Sequence, residues 1–170
     1  IILNEKVLVP IMNSSYDDDA LLVYEEALPG YEVIGFTGSW QSTDALHCRA
    51  KGIPDLEMLQ IFHNPINDQS EPMDSYIAEI IIDDLSNTGL IENDLKLFWK
   101  NETMDSFESI LLTVCSQDIP DCYLGEIPSQ VQDTEVHYYI QASDNSGRYE
   151  QLPMAGYFSF FAFAGSSLVQ

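Results

Sequence analysis

The spacing of apolar residues changes once along this chain, near Gly52–Asp55, and the two patterns demand different folds. Before that point a branched apolar run, a helical repeat and a second apolar run follow one another. After it, short strand-like runs recur at nearly even intervals between turn clusters, with no convincing helical repeat. A β-α-β unit is the module of parallel or mixed α/β sheets, whereas regular short strands over about 110 residues indicate an antiparallel sandwich. The expected fold is therefore α/β plus all-β, with an α/β part over residues 1–54 and an antiparallel sandwich over 55–170.

In the first part, Lys6–Met12 (KVLVPIM) suits a strand buried on both faces, although Pro10 removes one ladder donor. Ile1-Ile2-Leu3 reads as the approach to that strand, so the chain is expected to begin partway through a longer protein. Asn13-Ser14-Ser15 breaks the run, and Asp17-Asp18-Asp19 places negative charge where it complements a helix N-terminus. From Ala20 to Leu28, Leu21, Tyr24 and Leu28 share one helical face, with Ala20 and Ala27 beside them, before Pro29-Gly30 ends the helix. Tyr31–Phe36 then returns as a strand. In the second part, strands are expected at Met58–His63, Tyr76–Asp83, Leu95–Trp99, Ser109–Cys115, Glu135–Ala142 and Tyr157–Phe163. Val136, Tyr138 and Ile140 are expected to face inward, and the Asp144-Asn145-Ser146-Gly147 turn to lead into the last strand.

Charge narrows the partners. The net charge is −22, from 28 acids and 6 bases, which argues against nucleic acid and anionic membranes, since both need clustered Lys and Arg. A cationic substrate is compatible with it. No apolar run approaches the ~18 residues of a spanning helix. Three cysteines read as one pair, Cys115 with Cys122, plus a lone Cys48; the alternative is two buried, reduced thiols. A disulfide implies an oxidising compartment.

The segment GSWQSTDALHCRAKGIPD, Gly38 to Asp55, follows the carboxyl end of a predicted strand, where α/β proteins carry their ligand loops. It holds Cys48 between His47 and Arg49, with Lys51 nearby, and positive neighbours raise the thiolate fraction of a thiol. By composition alone, a lone cysteine in an extended segment is more often a buried, inert thiol. Adjacent residues of an extended chain point to opposite sides, so His47 is read as packing behind Cys48 rather than as its base. His63 and His137 fall in predicted strands without a second ligand at metal-binding spacing, so both are read as structural. No zinc or calcium pattern is present in the sequence, and no metal or cofactor is expected.

The stretch VLVPIMNSSYDDDALLVYEEALPGYEVIGFTGSWQSTDALHCRAKGIPD, and above all STDALHCR (Ser42–Arg49), resembles the end of the catalytic domain of Porphyromonas-type bacterial peptidylarginine deiminases. These are relatives of agmatine deiminase in the guanidine-modifying pentein superfamily. The resemblance is close over residues 6–55 and looser in the sandwich, which corresponds to the immunoglobulin-like domain that follows in those enzymes. It implies that residues 1–54 are the last βαβ module of a pentein propeller. It implies that Cys48 is the nucleophile attacking the guanidinium carbon of arginine. Ammonia then leaves, and water hydrolyses the S-alkylthiouronium to citrulline.

The family's general acid–base His and guanidinium-binding carboxylates have no counterpart in these 170 residues. The remainder of the catalytic domain, upstream or on a second chain, is thus an expected partner. Thr43 and Asp44 are expected to shape the loop holding Cys48 or to line the pocket. Trp40 either walls the substrate channel or packs at the domain junction. One βαβ unit cannot bury a propeller core, so the chain alone is expected to be inactive. A secreted or surface-exposed bacterial protein is expected, with the periplasm as the alternative. The competing functions are a non-catalytic immunoglobulin-like module with a vestigial deiminase segment, or a deiminase of agmatine or free arginine. Tyr123, Tyr149 and Tyr157 are candidate surface aromatics, and Asn13 and Asn101 open N-x-S/T triplets that matter only in a eukaryotic secretory pathway.

Overall fold

A computed structural model describes residues 1–3, 5–12, 15–38, 55–115 and 119–163. The described residues are mostly antiparallel β-sheet with one α-helix. The chain divides into two units: the first ends at Asp55 and also takes in Met154–Gly156, and the second starts at Leu56.

The first unit holds a three-stranded sheet in the order β1-β2-β3, formed by Ile2–Leu3, Lys6–Ile11 and Glu32–Thr37. Strands β2 and β3 run parallel, in register from Lys6↔Glu32 to Ile11↔Thr37, with helix α1 (Asp17–Ala27) as the crossover. Ile2–Leu3, expected as a mere approach to β2, instead turns back to pair with Lys6 and Val7. Leu8 N–H donates to the Ile1 carbonyl at 2.8 Å, so alternate residues Lys6, Leu8 and Pro10 direct their backbone groups to the β1 side. Pro10 therefore faces away from β3, and its missing N–H costs no ladder bond to that strand.

Val7 and Val9 are buried, but α1 buries none of its residues fully. Leu21 and Leu28 are half-buried, whereas Tyr24 and Ala27, expected on the inward face, are exposed. The reason is supply: a sheet of this width offers a helix only a narrow strip to pack on.

The second unit carries two antiparallel sheets that share one core, an arrangement compatible with a β-sandwich. The four-stranded sheet runs β4-β5-β9-β8: Leu59–His63, Ser75–Asp84, Cys122–Pro128 and Thr113–Val114. The other is built on β10 (Thr134–Ser143), flanked on one side by β6 (Lys96–Asn101) and then β7 (Glu108–Leu111). On its other side β11 (Tyr149–Leu152) and β12 (Phe158–Ala162) share the length of β10 end to end. Burial alternates strictly along β10, with Val136, Tyr138, Ile140 and Ala142 inward against Ile80, Ile82 and Ile127 of the facing sheet. At about 25 cal/mol per Å² of apolar surface, this shared interior dominates the unit's stability.

Three expectations need correction. Ser109–Cys115 is not one strand but two pieces in different sheets: β7 pairs with β6, the chain crosses at Leu112, and β8 pairs with β9. The crossing is anchored by Leu112 N–H to the Leu95 carbonyl, 2.9 Å. Cys122–Pro128, which is not among the expected strands, is a central strand. Gly125 is needed there because a Cβ would lie 2.6 Å from Leu97 Cδ1 of the facing sheet. Finally, the Asp144–Gly147 turn leads into β11 rather than into the last strand, so two hairpin-like returns replace the one expected.

Candidate functional site

The parallel pair ends at a common edge, Ile11 beside Thr37, and the chain leaves β3 there through Gly38. At the same edge both carboxylate oxygens of Asp17 lie 3.2 and 3.3 Å from the Met12 nitrogen, so the first acid of α1 accepts from the turn before its own helix. Trp40, Thr43, Asp44, His47, Cys48 and Arg49 all lie outside the described residues. The described part of this unit contains no histidine. Its one described ion pair, Lys6 with Glu32, joins β2 to β3 on an exposed surface.

In the second unit, polar chemistry gathers at two places. One is a hydrogen-bonded chain through the core edge. His63 Nδ1 lies 2.7 Å from the Glu79 carbonyl, and His63 Nε2 lies 2.8 Å from Tyr138 Oη. A carbonyl only accepts, so Nδ1 carries the proton and Nε2 takes the hydroxyl proton of Tyr138. Tyr138 Oη in turn accepts from Ile66 N–H at 2.8 Å, which pins the strap after β4 to β10. Burial holds the His63 pKa below its usual value, against a smaller opposing effect of the Glu79 carbonyl. Burial also pushes the Tyr138 phenol up to about 12, so it stays a donor. His63 is therefore structural. His137 lies on the outer face, 3.2 Å from Glu135 and stacked on Tyr157 with ring centroids 4.1 Å apart.

The other place joins two turns. Asp144 is fully buried, and its Oδ1 accepts from Ser146 N–H at 2.8 Å, Ser146 Oγ at 2.5 Å and Arg148 N–H at 3.0 Å. Asp84 accepts from Ser86 Oγ at 2.5 Å and Gly89 N–H at 2.7 Å. Ser86 Oγ also reaches Asp144 Oδ2 at 3.5 Å, and Asn145 Nδ2 donates to the Gly89 carbonyl at 2.8 Å. Burial alone raises the Asp144 pKa, but the Ser146 hydroxyl and the Arg148 and Ser146 amides outweigh it, leaving the carboxyl below its ordinary range. The Ser86 hydroxyl is the main cause of a lowered Asp84 pKa. Asn87 and Gly89 take positive φ values of 55° and 93°, and Gly147 takes 88°, which closes both turns tightly.

Beside these turns the second unit opens into a groove of about 940 Å³. Its lining mixes Ile82, Leu90, Leu95, Leu112, Val114 and Tyr123 with the carboxylates of Asp83, Asp84, Glu92 and Asp121. Nearby, Cys115 and Cys122 form a disulfide, Cα–Cα 5.4 Å, with Cys115 N–H donating to the Cys122 carbonyl at 3.0 Å. Tyr123, read from the sequence as an exposed aromatic, is half-buried; Tyr149 and Tyr157 are exposed. Burial first, and then the charges of Asp121 and Glu92, raise the Tyr123 pKa.

No known family model matches the chain. Among the described residues no group of three His, Cys, Asp or Glu is placed to hold a metal ion, and no helix is long and apolar enough to cross a membrane. The turn network and the groove were not anticipated from the sequence. Beyond the Ser86–Gly89 and Asp144–Gly147 turn clusters themselves, their sequence signal is the repeated Asp-x-Ser, Asp84-Leu85-Ser86 and Asp144-Asn145-Ser146, a pattern in which the side chains cap their own turns.

Proposed function

We propose that this chain is the carboxyl-terminal portion of a secreted bacterial arginine deiminase acting on peptidyl-arginine, with Cys48 as its nucleophile. In this reading the β2-α1-β3 unit is the last module of a pentein propeller, and the antiparallel sheets after it are an immunoglobulin-like domain. One observation carries the reading: the STDALHCR segment follows directly from the carboxyl edge of a parallel βαβ pair. That is where α/β architectures gather their reactive loops. The Cys115–Cys122 disulfide supports an oxidising compartment, and no further cysteine in the chain is left to pair with Cys48. The surplus of carboxylates favours a cationic substrate.

The chemistry follows from the groups. Arg49 and Lys51 favour the thiolate of Cys48, which adds to the electrophilic guanidinium carbon. Proton transfer to the departing nitrogen releases ammonia and leaves an S-alkylthiouronium on Cys48. Water then adds to the same carbon, the C–S bond breaks, and citrulline leaves as the thiolate is restored. The proton-transferring His and the carboxylates that grip the guanidinium are supplied by further pentein modules, the remainder of the catalytic domain.

Treatment of the complete protein with a haloacetamidine, an arginine-mimicking electrophile, should alkylate Cys48, read by peptide mass spectrometry. An unmodified Cys48 would overturn the assignment. The 170-residue chain alone should release no citrulline from an arginine peptide above a Cys48→Ala control.

A further inference from the structure

We propose that the groove at one end of the second unit's sheets binds a short cationic peptide segment, one in which arginine or lysine alternates with apolar side chains. The proposal goes beyond the deiminase reading and stands without it, since it is argued from described residues of the second unit alone.

Three features of the groove carry it. Its floor is apolar: Ile82 and Leu95 are buried, and above them Leu85 and Val114 stay 43% and 65% exposed, which leaves apolar surface for a ligand to cover. Its rim is anionic: Asp83, Asp84, Glu92 and Asp121 line it, and no Lys, Arg or His is among its described lining residues. Asp84 keeps its charge well into acid, because Ser86 Oγ and Gly89 N–H are bonded to its carboxylate. Its wall is preformed: the Asp84–Gly89 turn is tied to the Asp144–Arg148 turn by Asn145 N–H to the Gly89 carbonyl, 2.9 Å, and by Ile91 N–H to the Ser143 carbonyl, 2.9 Å. A preformed site is spared the ordering cost that a mobile loop would impose on binding.

The chemistry of the lining selects the occupant. Carboxylates repel phosphate and anionic lipid. A bare metal ion finds no concentrated ligand set, since Asp84 and Asp144 already accept hydrogen bonds from Ser86, Gly89, Ser146 and Arg148. A polyamine satisfies the rim but leaves the floor uncovered. A peptide with alternating basic and apolar side chains satisfies both, and the groove's volume is at the upper end of small-ligand pockets, roughly 300–1,000 Å³.

The test is fluorescence anisotropy with the full chain and a fluorescein-labelled Leu-Arg-Leu-Arg-Leu peptide near physiological salt. There the Debye length is about 8 Å, so remote charges are screened. Saturable binding is expected. It should weaken roughly tenfold or more when citrulline replaces arginine, when serine replaces leucine, and in Glu92→Gln/Asp121→Asn. Asn tolerates the positive φ of 58° at Asp121, so the fold is retained. Val114→Lys, at an exposed position, should weaken binding to a similar degree through the apolar side of the groove. Glu71→Gln/Asp105→Asn removes the same charge from exposed positions outside the lining and should change affinity by less than about twofold. Absence of saturable binding, equal affinity for the citrulline peptide, or an equal loss in Glu71→Gln/Asp105→Asn would each overturn the proposal.

Discussion

The hydroxyl of Tyr138 stands between His63 Nε2 and the backbone N–H of Ile66, 2.8 Å from each, so one side chain from the centre of β10 holds both the end of β4 and the strap after it. Strand, imidazole and loop thus share one chain of hydrogen bonds from the Glu79 carbonyl to Ile66. Tyr138→Phe keeps the ring and removes the hydroxyl, leaving the Ile66 amide and one imidazole nitrogen without their partner. The expected loss is about 1–3 kcal/mol, read from urea unfolding. An unchanged midpoint would show that water replaces the hydroxyl without penalty.

His63 also sets a direction in pH. Its folded pKa is lowered by burial, so the unfolded chain binds the proton more readily. The His63 contribution is fully present above the unfolded value of about 6.5 and declines as pH falls through that value toward the lower folded one. Between pH 7.5 and 5.5 the wild type should lose more stability than His63→Gln. Parallel losses in the two proteins would contradict the assignment of Nε2 as an acceptor.

Asp84 and Asp144 govern a separate, more acidic limb. Both folded pKa values are lowered, so their contribution is present above the unfolded carboxyl value of about 3.9 and is lost as pH falls below it. Because Asp144 accepts three hydrogen bonds while fully buried, Asp144→Ala should lower the urea midpoint far more than Asp83→Ala, at a half-buried position near the end of β5. Equal midpoints would mean that the two turns fold without this hub.

Gly125 tests how closely the sheets approach. A Cβ there meets Leu97 Cδ1 at 2.6 Å and Leu97 Cβ at 3.1 Å, and Leu97 is itself fully buried. Gly125→Ala should cost about 1–3 kcal/mol through overpacking, despite the better strand propensity of alanine. In Gly125→Ala/Leu97→Val the removed methylene should return part of that loss, a coupling that thermal melts of the two single variants and the double can measure.

Removing the disulfide by Cys115→Ala/Cys122→Ala should cost on the order of 2–3 kcal/mol, as expected for so short a loop. The Val114–Tyr123 pairing beside it should lose amide-exchange protection first.

How far the sequence could be read depended on where each residue's partners lie. The alternation Val136, Tyr138, Ile140 named the buried face of β10 because a strand's two faces are written in successive residues. Helix α1 was legible from its acids and its Pro29-Gly30 stop. Cys122–Pro128 was not, because the reason for Gly125 is Leu97 on the opposite sheet, 28 residues away in the chain. Nor was the split of Ser109–Cys115, since nothing local states that Leu111 belongs with Lys96 and Thr113 with Leu124.

By itself, then, the sequence determined the α/β-then-antiparallel order, the inward face of its most regular strand, and the motif around Cys48 that supports the proposed chemistry. These are properties of neighbours within a few residues, set by backbone periodicity and local charge. Tertiary structure alone decided the sheet crossing at Leu112, the bond from His63 to Tyr138 across 75 residues, and the meeting of Asp84 with Asp144 around Ser86. Those contacts arise only when the shared core brings distant strands together, and the apolar surface they bury is what holds them there.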